Sequence, residues 1–394
     1  MKTKLPKLPT LPTLFQEFFD SEQASGVILL TCTILALAIA NSPFGHSFLD
    51  FWHIEAGFDL GVFHLKHSLE HWINDGLMAI FFLLIGLEIE RELYIGELSS
   101  PKNALLPIVA ALGGMLMPAF LYLLLTFGTP AQPGFGIPMA TDIAFALGVL
   151  SLLGSRIPLS LKIFLTALAI IDDLGAILVI ALFYGDNFSL LYLLLALGIF
   201  GMLLIFNRLR IYSLPFYLIP GVVMWYFMLQ SGIHATIAGV LLAFAIPFRD
   251  GGHASPSHRL QHFLHKPVAL LVMPIFALAN TGIVLSEVPV ASLFAPHTFG
   301  IMAGLLLGKP LGIIGFSLLA IKMRWAEMPD GVFTRQLLGV GFLGGIGFTM
   351  SIFITLLAFK EPALVHSSKI AILVSSLLAG TVGFWILNWN AKKV

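Results

Sequence analysis

Charge is what this sequence has least of. Asp, Glu, Lys and Arg make up 11% of it, against about 25% in an average globular chain. The 21 basic and 21 acidic residues cancel, so nothing in the balance makes a case for nucleic acid as a partner. There is a single cysteine, Cys32, inside an apolar run. One thiol excludes a disulfide framework and reads as a core residue. The N-terminal stretch to Asp20 is polar and contains Lys2, Lys4 and Lys7. It lacks an apolar core followed by a small-residue cleavage site, so no removable signal peptide is expected. Soluble domains, linkers and low-complexity runs are missing too. What remains is apolar: 58% hydrophobic residues and a mean hydropathy of +0.95. A soluble fold of 394 residues has no interior large enough for that, so the expected class is an all-α polytopic membrane protein.

A membrane helix needs about 20 mostly apolar residues. The hydropathy pattern predicts twelve spans, at 24–43, 72–94, 104–126, 135–154, 160–184, 190–207, 213–228, 231–247, 262–285, 299–321, 335–357 and 366–389. They form one transporter domain over 1–394, with a cytoplasmic segment 1–23 and a cytoplasmic tail 390–394. Basic residues test that count, because cytoplasmic loops are enriched in Lys and Arg. With both termini inside, seventeen of the 21 basic residues fall on the cytoplasmic side. Lys66, Lys360 and Lys369 fall outside, and Lys309 lies within a span. Merging the seventh and eighth spans would put Arg249, Arg259 and Lys266 outside, so twelve is the expected number. The first outside loop, 44–71, alternates apolar and polar residues from His53 to Leu65 around a glycine. This predicts a small outside β-hairpin over 53–65. Its open edges favour pairing with a second copy, so a homodimer is expected there.

Ionisable residues inside a span are costly and mark functional sites. Asp172 and Asp173 stand alone between Ile163 and Tyr184. Neighbours on a helix point about 100° apart, so the two cannot be equivalent: one can face an ion and the other a partner. Lys309, in Leu-Gly-Lys-Pro-Leu-Gly, is the other isolated charge, and a carboxylate of span five is its obvious partner. In span four, Pro138 with Gly134 and Gly136 precedes Thr141 and Asp142. A break there would leave backbone groups free at depth, beside a hydroxyl and a carboxylate. Span eleven is glycine-dense through Gly344, Gly345 and Gly347, which predicts a second break. Its Gly339 to Gly344 stretch matches G-x-G-x-x-G, but a dinucleotide site needs a soluble βαβ unit.

The two interrupted spans sit at the middle of spans 3–5 and of spans 10–12. The triplets enter the membrane from opposite sides, which makes them an inverted repeat. Matched broken helices in two such halves point to a transport site at mid-membrane.

The runs Ala140–Ile177, Leu-Gly-Lys-Pro-Leu-Gly around Lys309, Gly341–Ile354 and His71–Glu92 closely resemble NhaA-type bacterial sodium/proton antiporters. The resemblance covers nearly the whole chain. It implies electrogenic exchange of cytoplasmic Na⁺ or Li⁺ for external H⁺, switched on at alkaline pH, in a bacterial inner membrane. It assigns Asp172 and Asp173 as the ion- and proton-binding pair. Thr141 and Asp142 belong to the crossed-helix assembly, and Lys309 is the lysine that compensates helix ends and pairs with Asp172. The residues support this chemistry independently. Sodium wants oxygen ligands; burial favours a neutral carboxyl, and a nearby cation favours the ionised one. Carboxylates that hold either protons or sodium, but not both, make an exchanger. No cofactor is implied.

Histidines titrate near neutral pH. Glu88, His262 and His265 at the cytoplasmic face, with His234 in span eight, are therefore candidates for pH sensing. Gln261 and Glu90 depart from the family's acidic and basic residues at these positions, which puts the pH profile in question. Asp75 is a candidate for an outside funnel. The competing classes are an intramembrane enzyme and a cation channel. H-E-x-x-H is absent, and adjacent aspartates do not suit an aspartyl protease, which takes them from two facing helices. A lysine beside the carboxylates and two helix breaks suit an occluding site better than an open pore.

Overall fold

The computed structural model describes residues 11–57, 65–185, 188–249, 251–252 and 255–391. It is almost entirely helical, as a chain must be if lipid offers its backbone no hydrogen bonds. In order come α1 (Leu11–Ala40), α2 (Gly45–His53), α3 (Leu69–Tyr94), α4 (Pro101–Thr126), α5 (Ile143–Ser151), α6 (Leu159–Phe183), α7 (Leu190–Arg208), α8 (Pro215–Gln230) and α9 (Thr236–Ala245). Then follow α10 (Pro256–Asn280), α11 (Val290–Lys322), α12 (Thr334–Gly344), α13 (Phe348–Ala358) and α14 (Pro362–Ala391). Among the described residues, eight helices are long and apolar enough to cross a membrane, or up to ten when each bent pair counts as one. The expected twelve is not reached by that measure, because α8 has 16 residues and α9 only 10.

Two other expectations shift. The first helix reaches back to Leu11, well before residue 24. The loop after it opens with α2, bent 114° from α1. The only strand pairing among the described residues is Glu55–Ala56 (β1) against His67–Ser68 (β2), antiparallel, with Glu55 opposite Ser68. The pairing is thus shorter than the expected 53–65 hairpin and closes later, and residues 58–64 lie outside the described chain. Trp72 donates its indole N–H to the Ala56 carbonyl at 2.9 Å, tying β1 to α3.

Two apolar cores organise the helices. Leu83 and Leu87 of α3 pack with Ala196 and Leu203 of α7, Tyr217 and Met224 of α8, and Leu242 of α9. The larger core joins α1, α3 to α6 and α10 to α14. In α7 only 11% of the apolar window is buried, against 61% in α6. So α7 lies at the rim facing lipid and α6 runs through the centre. The crossing of α4 and α11 is the closest approach that bears on the site: a Cβ on Gly312 would lie 2.0 Å from the Gly113 carbonyl oxygen. Bare glycine backbone lets α11 press into α4, which sets the depth of Lys309 three residues earlier.

Candidate functional site

The first break is built by a change of helix type. Residues Gln132–Met139 wind as a 3₁₀ helix containing Pro133 and Pro138. Proline withholds the N–H that an α-helix needs. Residues 140–142 are extended, and α5 starts afresh at Ile143. Tyr184, just past α6, accepts from the Gly136 N–H at 3.1 Å and donates to the Pro133 carbonyl at 2.8 Å, which pins the 3₁₀ stretch. The second break separates α12 from α13 over residues 345–347, with a bend of 44°. A Cβ on Gly345 would meet the Leu305 carbonyl oxygen at 2.3 Å, so this turn must be glycine to lie against α11.

The two breaks cross, and each supplies what the other lacks. The Asp142 N–H donates to the Ile346 carbonyl at 2.6 Å, and the Thr141 hydroxyl donates to the Gly344 carbonyl at 2.7 Å. The Asp142 carboxylate accepts from the Phe145 N–H at 3.0 Å and the Thr349 N–H at 3.1 Å. It also accepts from the Thr349 hydroxyl. One negative side chain thereby caps the N-terminal, positive ends of both α5 and α13. Ser351 donates to the Ile137 carbonyl at 2.7 Å, and Ser376 of α14 accepts from the Phe348 N–H at 3.1 Å.

Lys309 enters this crossing from α11. A π-helical turn, Gly304–Gly308, immediately precedes it; such turns concentrate at functional sites. Lys309, Thr141 and Asp173 are wholly buried, and Asp172 and Asp142 nearly so. Lys309 Nζ lies 2.5 Å from Asp172 Oδ2 and donates to Thr141 Oγ1 at 2.8 Å. The cation is thus tied through Thr141 to the carbonyl end of α12. Asp173 points elsewhere, as the 100° between helix neighbours requires. Both its carboxylate oxygens, and Oδ1 of Asp172, are buried without a hydrogen-bond partner among the described residues. Among the described residues, no three His, Cys, Asp or Glu side chains are close enough to hold a metal ion. The carboxylates are therefore paired with Lys309 and helix ends, not gathered as a cage.

A cavity of about 40 Å³ lies beside the crossing, lined by Asp142, Thr349, Ile85, Glu88 and His265 among others. His265 Nδ1 lies 3.8 Å from Glu88 Oε1. His262, three residues earlier on the same helix, is exposed where His265 is half-buried. That helix starts at Pro256, six residues earlier than the expected span. Glu90 is buried and accepts from the Ser257 hydroxyl at 2.8 Å; Gln261 is buried too. His234 lies apart from them, in the turn before α9, with Nε2 2.5 Å from the Tyr184 carbonyl, near Asp75 and at the opposite end of α3 from Glu88. Asp75 lies in a π-helical turn, Trp72–Leu77, with Oδ2 3.3 Å from His71 Nδ1. Sequence reasoning missed Thr349, Ser351 and Ser376. Hydroxyls in apolar helices usually bond their own i−4 carbonyl, as Thr355 does to Ser351, so no signal separates these three. It also missed His67 and His71, whose four-residue spacing to Asp75 was visible.

Two broken helices crossing at buried charges define the molecule as a membrane transporter of the antiporter architecture. The sodium proton antiporter MjNhaP1 from Methanocaldococcus jannaschii has the same fold. The two superpose with a TM-score of 0.51 over 95% of this chain and 98% of that one, at 16% identity. The family model described as Na+/H+ antiporter 1 matches residues 16–387, and the chain belongs to that family. It is 59% identical to the Na(+)/H(+) antiporter NhaA of Flavobacterium psychrophilum, over 96% of this chain and 97% of the relative. It is 57% identical to that of Dechloromonas aromatica, over 98% and 97%. Identity to the Bordetella parapertussis NhaA is 50%, over 95% and 96%.

Proposed function

We propose that this chain exports sodium or lithium ions from a bacterial cell across the inner membrane in exchange for external protons. More protons enter than sodium ions leave, and alkaline pH switches it on. The reading is of a transporter, not an enzyme, and it needs no cofactor. The observation that carries it is the ion pair between Lys309 and Asp172 beside two unpartnered oxygens of Asp173. When sodium arrives, Asp173 gives up its proton and, with the already ionised Asp172, takes the cation. Lys309, which loses Asp172 as partner in that state, gives up a second proton; both protons return as the cation leaves, and the Lys309–Asp172 pair re-forms. One set of charges cannot serve both ions together, so uptake of one expels the other. The crossed breaks are the element that opens to one side and then to the other.

The seventeen-to-three split of basic residues supports twelve crossings with both termini cytoplasmic. The short helices α8 and α9 then form one pair of crossings, and spans 3–5 and 10–12 the inverted repeat. This orientation puts Glu88 and His265 on the cytoplasmic side as the pH-sensing pair, and Asp75 on the outside. The open edges of the β1–β2 pair favour a homodimer contact.

The test is proton flux in proteoliposomes driven by Na⁺, Li⁺ or K⁺ across pH. Sodium- and lithium-driven proton release that disappears in Asp172→Asn and in Asp173→Asn is expected. Normal exchange in both variants would overturn the assignment. Uncoupled cation conductance would mark a channel.

A further inference from the structure

The outer end of α3 carries a second set of titratable groups that the exchange site does not use. His67, His71 and Asp75 follow at four-residue spacing from β2 into the π turn of α3. The His67 and His71 rings stack with centroids 4.1 Å apart. His71 Nδ1 lies 3.3 Å from Asp75 Oδ2. The Nε2 atoms of both histidines are buried and have no hydrogen-bond partner among the described residues. The backbone around them is fixed: Trp72 bonds the Ala56 carbonyl at 2.9 Å, and Trp225 of α8 bonds the Asp75 carbonyl at 3.0 Å. Two stacked imidazoles against one carboxylate hold one added proton comfortably. Two would place like charges in face contact.

From the geometry we infer that His67, His71 and Asp75 form a proton-loading site at the outer mouth, which takes protons from the outside solution before they reach the buried aspartates. The inference rests on the exchange reading above, since it supplies that reading's external substrate. The surrounding charges bear on it. Glu70 sits next to His71 and lies 3.6 Å from His53 of α2. Lys66 pairs with Glu55 across β1 and β2 at 2.7 Å. His234 approaches Asp75 from the turn before α9. His366 and Lys369 of α14, with Glu287, face Glu70 from the other side. Burial, and then His71 beside it, hold the His67 imidazole below the ordinary histidine range, with Asp75 pulling the other way. His67 is therefore neutral at neutral external pH, with a ring nitrogen ready to accept.

A proton from outside adds to a ring nitrogen of the pair. His71 then releases one from Nδ1 to the Asp75 carboxylate, which leaves both rings neutral and ready for the next.

The test uses the full-length protein in proteoliposomes of known orientation. The inside is held alkaline and the outside stepped from about pH 5.5 to about pH 8, across the histidine range. Radiolabelled sodium efflux is the readout. In the His67→Gln/His71→Gln variant the external-pH midpoint should move to more acid values, with the internal-pH profile and sodium KM unchanged. The single variant His67→Gln, which leaves the His71–Asp75 contact in place, should move it part of the way. An external-pH profile superimposable on wild type would overturn the inference. So would equal shifts in both the internal and external profiles, which mark a structural role. Failure of the wild type itself to exchange sodium for protons would fall on the exchange reading instead.

Discussion

The two broken helices do opposite work although they meet at one point. The first, at 140–142, brings side chains: Thr141 donates and accepts, and Asp142 caps two helix ends. The second, at 345–347, brings only backbone, because Gly345 must let its turn lie against Leu305. One half of the crossing supplies charge, and the other supplies carbonyls and N–H groups at its break and the neutral hydroxyls of Thr349 and Ser351 just after it. A break made of glycine holds no charge that burial could neutralise, so it stays a constant frame. The charged break and the Asp172–Lys309 pair beside it are the part whose state can change.

The comparison predicts a graded set of effects. The largest belongs to charge. Asp173→Asn should reduce sodium-driven proton release in proteoliposomes to the level of empty vesicles while the protein still purifies as a folded species; retained exchange would place the ion elsewhere. Next comes the ion pair. Lys309→Met leaves Asp172 buried without its cation, a loss of about 3–5 kcal/mol, read as a lower melting temperature in detergent. Adding Asp172→Asn to that variant should recover much of the stability and none of the transport. Asp142→Asn keeps the shape but offers two helix ends a neutral cap, which costs about 1–3 kcal/mol, read in the same melt. Gly345→Ala forces the second break away from Leu305, with a comparable cost of about 1–3 kcal/mol. It should slow exchange without changing which cations are accepted; altered Na⁺ against K⁺ preference would mean that the second break also contacts the ion. The smallest effect is at the cavity lined by Glu88 and His265. His265 Nδ1 lies 3.8 Å from Glu88 Oε1 there. His265→Gln removes the group that can exchange a proton beside Glu88, so exchange should depend less steeply on pH. His262→Gln, at an exposed position, should leave the pH profile where it is.

The parts legible in sequence were those where one residue contradicts its surroundings. Asp172, Asp173 and Lys309 each interrupt an apolar run, and Pro138 and the glycines at 344–347 each interrupt a helix. What could not be read was how they meet. Nothing in the pattern tells that Asp142 accepts from Thr349 207 residues away, because a threonine in an apolar helix looks like any other that bonds its own preceding turn. The π turns before Lys309 and at Asp75 leave no compositional trace. The histidine ladder was visible as a spacing, but it spans the boundary between an expected hairpin and an expected helix. Helix ends moved where tertiary contacts decide them: α10 begins at Pro256, six residues before the expected span.

The central claim is that sodium and protons compete for the carboxylates beside Lys309. It is tested most directly by adding sodium to the purified protein at alkaline pH in weak buffer and counting the protons released. Proton release that saturates with sodium binding and vanishes in Asp173→Asn is the predicted result. Sodium binding of undiminished affinity with no proton release would contradict it.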